Sequence, residues 1–138
     1  MKRRAFIFSA AAFSAASVMG GAAFAAADYT PGLVDQELAA GKTVFLDFKA
    51  SWCTTCAAQE RVMDRLKAAN PDYEKSVSFI AVDWDKYGRS ELAKRLKIPR
   101  RSTLVALKGD AELGRIVAGT READIKALMD TALHAALA

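Results

Sequence analysis

Histidine and cysteine are scarce in this sequence, with one histidine and two cysteines among 138 residues. A structural zinc site wants four Cys or His ligands, and His134, Cys53 and Cys56 fall short of that. The cysteines are also poorly placed to staple a small secreted fold. A bridge between positions 53 and 56 closes a tiny loop and constrains little of the unfolded chain. Acidic residues are missing altogether from residues 1–27, which hold Lys2, Arg3 and Arg4. Without that segment the chain carries 17 basic residues against 16 acidic ones. The net charge of +4 for the full chain therefore does not point to nucleic acid. Repeats, linkers and low-complexity tracts are absent after residue 28, and the length suits one domain and not two.

The first 27 residues read as an address. Three basic residues precede an apolar run from Ala5 to Gly21, and the small residues Ala25-Ala26-Ala27 close it. That is the order of a secretory signal peptide, residues 1–27, with a domain over 28–138. Ala25 and Ala27 fit an A-x-A cleavage site ahead of Asp28; cleavage one or two residues earlier is equally allowed. An uncleaved anchor is the alternative, because residues 5–27 are long enough to span roughly 30 Å of hydrocarbon. Their Ala, Ser and Gly content makes insertion weakly favoured. The string Arg3-Arg4-Ala5-Phe6-Ile7 leaves a general secretory route and a twin-arginine route both open.

After residue 28, strands and helices alternate. Leu33 to Ala40 reads as a short helix closed by Gly41. Val44 to Phe48 is an apolar run, as in a strand covered on both faces. Cys53 to Ala69 reads as a helix with Val62, Met63 and Leu66 on one stripe, broken by Asn70-Pro71-Asp72. Val77 to Val82 is a second strand, and Ser90 caps a helix to Leu96. Thr103 to Leu107 and Leu113 to Val117 form a hairpin around Lys108-Gly109-Asp110. Thr120 is the expected cap of a final helix that turns Ile125, Leu128, Met129, Ala132 and Leu133 inward. This order predicts an α/β fold with a central mixed sheet of about four strands flanked by helices.

Cys53 falls where a strand has ended and a helix begins. The unpaired N–H groups and partial positive charge there favour a thiolate. Cys53 is thus expected to be an exposed nucleophile. Cys56, one turn later, is placed to resolve a mixed disulfide formed at Cys53. Asp47 interrupts an apolar strand six positions before Cys53. Burial raises its pKa unless it is hydrogen-bonded. Two roles are open to it: proton acceptor for Cys56, or a strand-end carboxylate bonded to backbone or water.

The segment Asp47-Phe48-Lys49-Ala50-Ser51-Trp52-Cys53-Thr54-Thr55-Cys56 resembles the active-site segment of thioredoxins. That family has a buried Asp six positions before the first Cys and a Trp just before it. The resemblance implies a thioredoxin-like fold, with Cys53 attacking, Cys56 resolving and Asp47 assisting. It also implies substrate contacts at Trp52, Arg101, Ser102 and Thr103, and no cofactor beyond the redox-active Cys53–Cys56 disulfide.

The sequence departs from the family's pattern in several places. The first family strand is reduced or absent, since Asp28-Tyr29-Thr30 offers only a stub. Thr54-Thr55 stand between the cysteines, where two hydroxyls could bond a thiolate. The family's cis-proline position falls on Ser102, or, in a rival alignment, on Pro99. A cis bond before Ser costs about 2.5–4 kcal/mol, so the Arg101–Ser102 bond is expected to be trans. Arg100 and Arg101 would lie beside the cysteines. Lys49 shares a strand face with Asp47 and could supply a charge that the strand 78–82 lacks.

The resulting expectation is a periplasmic, monomeric thiol–disulfide oxidoreductase. On the resemblance alone, it reduces disulfides of exported proteins and draws electrons from a membrane thiol reductant. The alternative is a carrier that holds a soft metal such as Cu(I) between the two thiolates, with no other metal site and no nucleic-acid partner.

Overall fold

The computed structural model describes residues 26–138. The expected export segment lies outside them, apart from its last two residues. Among the described residues no helix is long and apolar enough to cross a membrane.

Five strands form one sheet in the order β1-β3-β2-β4-β5. They are β1 (Ala27–Asp28), β2 (Thr43–Lys49), β3 (Val77–Asp83), β4 (Thr103–Lys108) and β5 (Ala111–Val117). The first three run parallel, β4 runs antiparallel to β2, and β5 runs antiparallel to β4. The two-residue β1 is the reduced first strand. It starts at Ala27, opposite Ile80, one residue before the expected domain boundary. The sheet therefore has five strands where about four were expected.

The central strand β2 explains its own composition. It is paired on both sides and covered on both faces, so Val44, Phe45, Leu46 and Phe48 are all buried. Alternation along it feeds two cores. Phe45 packs with α2 (Thr54–Ala69), α3 (Asp72–Ser76) and α6 (Glu122–Leu137), through Met63, Leu66, Tyr73, Ile125 and Met129 among others. Val44, Leu46 and Phe48 pack on the opposite face against α1 (Leu33–Ala39) and α5 (Glu91–Arg95), through Val34, Leu92 and Ala93. A short α4 (Trp84–Tyr87) follows β3 directly.

The helices differ from the expected bounds at their ends. Cys53 is the N-cap of α2 and not its first residue, with φ −87° and ψ 114°. Ser90 caps α5 as expected, its hydroxyl accepting from the Ala93 N–H. Thr120 does not cap α6; the helix begins one residue later, with an extended Arg121 at the N-cap and no side-chain bond there. Neither α3 nor α4 is among the elements expected from the sequence. A single turn buries too few residues to leave a period in the sequence.

Candidate active site

The end of β2 and the start of α2 carry the site. The chain leaves β2 at Lys49, turns through Ala50-Ser51-Trp52, and enters α2 at Cys53. The turn is closed by the Cys53 N–H donating to the Ala50 carbonyl at 3.1 Å. Cys53 and Cys56 form a disulfide with their Cα atoms 5.3 Å apart. Cys53 Sγ accepts from the Cys56 N–H at 3.1 Å, so a free N–H of the first helical turn points at sulfur. That is the arrangement in which a helix N-terminus stabilises a thiolate.

The expectation of an exposed Cys53 is corrected. In this disulfide form Cys53 is 4% exposed and Cys56 is 2% exposed. The residue that covers them is Ser102. It is fully buried, and its Oγ lies 3.1 Å from Cys53 Sγ and 3.1 Å from Cys56 Sγ. The hydroxyl against the sulfurs is therefore that of Ser102 and not those of Thr54 or Thr55, which are exposed and half-buried. Pro99 is exposed, so Ser102 is the residue facing the cysteines. Every peptide bond among the described residues is trans, Arg101–Ser102 included.

Ser102 adopts φ +62°, and Ala118, which donates its N–H to the Ser102 carbonyl at 2.8 Å, adopts φ +61°. Non-glycine residues in the left-handed region cost roughly 1–2 kcal/mol each. Two of them meet behind the disulfide. Thr103 is also fully buried, and its hydroxyl donates to the Arg100 carbonyl at 2.7 Å. The side chains of Ser102 and Thr103 thus face protein in this disulfide form.

Trp52 faces outward, and Arg101 is half-buried beside it. Trp52 is 58% exposed, its indole N–H donating to the Asp85 carboxylate at 2.9 Å. The Arg101 guanidinium stacks on the Trp52 ring 4.3 Å from its centroid. The two side chains thus pack on each other next to the disulfide segment.

Asp47 lies on the α2 side of β2, in a cleft of about 230 Å³ shared with Lys49, Glu60, Met63, Asp64 and Lys67. It is 7% exposed, and its Oδ1 has no hydrogen-bond partner. Burial pushes its carboxyl up to about 7, a rise that the charge of Lys49 only partly opposes. Lys49 is half-buried and bonded to Glu60 at 3.0 Å. Burial pulls its ammonium down, but Glu60 outweighs that, and Lys49 titrates above its ordinary value.

Three residues here escaped the sequence reading. Lys67, 4% exposed, lies 3.2 Å from Glu74 and caps the Phe79 ring. It brings to the cleft a cation from α2 that had been sought on β3. Asp85 holds Trp52 from a helix that was not expected. Gln59 is fully buried and donates to the Ser102 and Gly119 carbonyls. Its signal was available: Gln59, Val62, Met63 and Leu66 share one helical stripe, and Gln59 alone is polar. Among the described residues no three His, Cys, Asp or Glu side chains cluster as metal ligands, and His134 is exposed on α6.

A thioredoxin family model matches residues 27–131. The chain belongs to the thioredoxin family. It is 33% identical over 81 residues to Thioredoxin H2-1 of Oryza sativa subsp. japonica, covering 59% of this chain and 54% of that one. It is 33% identical over 91 residues to mitochondrial Thioredoxin-2 of Schizosaccharomyces pombe, covering 66% of this chain and 61% of that one. The chain spans between half and two thirds of the length of these curated relatives. Among solved structures, the germline-specific thioredoxin Deadhead of Drosophila melanogaster matches with a TM-score of 0.61 at 26% identity. That match covers 77% of this chain and 97% of that one. Trxlp from Edwardsiella tarda EIB202 shares the fold with a TM-score of 0.64 at 24% identity, over 75% of this chain and 98% of that one. In the thioredoxin family the place of Ser102 belongs to a cis-proline, so the serine is this chain's own departure at the disulfide.

Proposed function

We propose that this thioredoxin-family chain is a thiol–disulfide oxidoreductase that reduces disulfides of exported proteins through Cys53 and Cys56. The observation that carries the reading is a disulfide whose first sulfur caps a helix, accepts an N–H of the first turn and sits beside an exposed, braced tryptophan.

In the reduced pair the Cys53 thiolate attacks one sulfur of a substrate disulfide. The substrate S–S bond breaks, a Cys53–substrate S–S bond forms, and the first substrate sulfur leaves as a thiolate that takes up a proton. Cys56 then loses its proton, and its sulfur attacks Cys53. The mixed disulfide breaks, Cys53–Cys56 forms, and the second substrate thiolate leaves. Two electrons pass from protein to substrate; the one proton the pair holds, that of Cys56, goes to Asp47, and the substrate thiolates take up their protons from solvent. Asp47 serves as acceptor for the Cys56 proton, because a carboxyl titrating near 7 can take up and release a proton at neutral pH.

The basic, apolar and small-residue order of residues 1–27 supports export to the periplasm. Processing ahead of Ala26 leaves β1 whole; processing ahead of Asp28 removes Ala27, half of that strand. In an oxidising compartment the dithiol is regenerated by a membrane thiol reductant.

Cys56→Ala removes the resolving sulfur and leaves substrates attached to Cys53. Expressed with its full export segment, this variant is expected to retain periplasmic proteins through bonds that dithiothreitol releases. Cys53→Ala is expected to retain none. Equal retention by both variants, or by neither, contradicts the proposal.

A further inference from the structure

Gln59 holds a position where a leucine would complete the apolar stripe of α2. Its carboxamide nitrogen donates to the Ser102 carbonyl at 3.0 Å and to the Gly119 carbonyl at 2.9 Å. Its carbonyl oxygen is buried without a partner. An orphaned buried acceptor is a cost that packing alone does not explain.

The tie explains where the Ser102 hydroxyl points. The Ser102 N–H donates to the Phe48 carbonyl at 2.7 Å, and the Ser102 carbonyl accepts from both Ala118 and Gln59. These bonds hold a non-glycine residue at φ +62°. The hydroxyl then sits equidistant from both sulfurs, 3.1 Å from each. A proline here would present no hydroxyl.

We propose that Ser102 is a catalytic residue whose hydroxyl bridges the reduced pair, donating to the Cys53 thiolate and accepting from the Cys56 thiol, and that Gln59 is the residue positioning it. The inference rests on the exchange chemistry proposed above. A hydroxyl has one proton to give and two lone pairs to receive with, which matches one thiolate and one thiol. A hydrogen bond to the charged form favours that form. The bridge therefore stabilises the dithiol state and makes the disulfide more oxidising.

The charged groups on the surrounding elements are Asp47 and Lys49 on β2, Glu60 on α2, Asp85 on α4, and Arg100 and Arg101 before β4. None of them hydrogen-bonds to either sulfur. The direct polar contacts to sulfur come from Ser102 and the helix N–H.

The test is the equilibrium of the folded chain with reduced and oxidised glutathione, paired with a pH titration of thiolate absorbance near 240 nm. Ser102→Gly suits φ +62° and removes the hydroxyl. It is expected to shift the equilibrium about tenfold toward the disulfide and to raise the Cys53 pKa by about one unit. Ser102→Ala is expected to shift both in the same direction. A shift with glycine alone assigns the effect to the backbone and overturns the proposal, as does no shift with either variant. Gln59→Leu is expected to give a smaller shift of the same sign. Its combination with Ser102→Gly should shift no further than Ser102→Gly alone, because Gln59 acts through the hydroxyl. Additive shifts overturn the positioning role, since a purely structural Gln59 would change melting temperature without this coupling. If the unaltered chain fails to exchange with glutathione at all, the proposed function itself fails, which is a different outcome from an exchanging chain indifferent to Ser102.

Discussion

The Lys49 ammonium is bonded to Glu60, 3.0 Å away, and leaves Asp47, two residues earlier on the same strand, without a hydrogen-bonded cation. Asp47 thus pays the desolvation cost of its cleft largely unaided, and its carboxyl titrates at about 7.

Stability follows from that shift with a definite sign. Below the unfolded-state pKa of 3.8 both states hold the proton. Between there and about 7 the unfolded chain releases it while the folded chain keeps it, so stability falls as pH rises. The loss runs at about 1.4 kcal/mol per pH unit and stops above the folded pKa. Asp47→Asn is expected to stabilise the oxidised chain by several kcal/mol at pH 8 and to be near neutral at pH 3.5. Urea unfolding at the two pH values measures this. An equal effect at both pH values would mean that the carboxyl is not titrating in the folded chain.

Helix α5 ends in a Schellman motif without its usual glycine. The Ile98 N–H donates to Ala93 and the Lys97 N–H to Lys94, with Lys97 at φ +53°. Lys97 is exposed, so its side chain gains little in return. Lys97→Gly is expected to add about 0.5–1 kcal/mol, raising the melting temperature by about 2–5 °C. An unchanged or lower melting temperature would show that the left-handed lysine is unstrained.

Legibility in the sequence divided along the range of the interactions. β2 and β4 read correctly because a strand covered on both faces is apolar throughout. The long α2 and α6 left a stripe of period 3.6. The register of Thr103–Lys108 placed Ser102, and not Pro99, opposite the cysteines. Short-range chemistry could also have found α4, where the Asp83 carboxylate accepts from the N–H groups of Asp85 and Lys86. Contacts between distant positions stayed hidden. Gln59 reaches Ser102 across 43 positions, and Lys67 enters the Asp47 cleft from another element. The burial of Cys53 was missed for the same reason. Its place at a helix start is local, but the serine that covers it comes from the neighbouring strand end, 49 positions along the chain.

The division of labour between the two sulfurs is the claim on which the proposed function stands. Reduced Cys56→Ala and reduced Cys53→Ala, each mixed with excess oxidised glutathione at pH 7, report it as the rate of mixed-disulfide formation read by intact mass. A thiol at the helix N-cap that accepts an N–H of the first turn should react faster than one a turn further into the helix. The chain retaining Cys53 is expected to form the adduct at least about tenfold faster than the chain retaining Cys56. Equal rates, or a faster reaction at Cys56, would contradict the assignment of Cys53 as nucleophile.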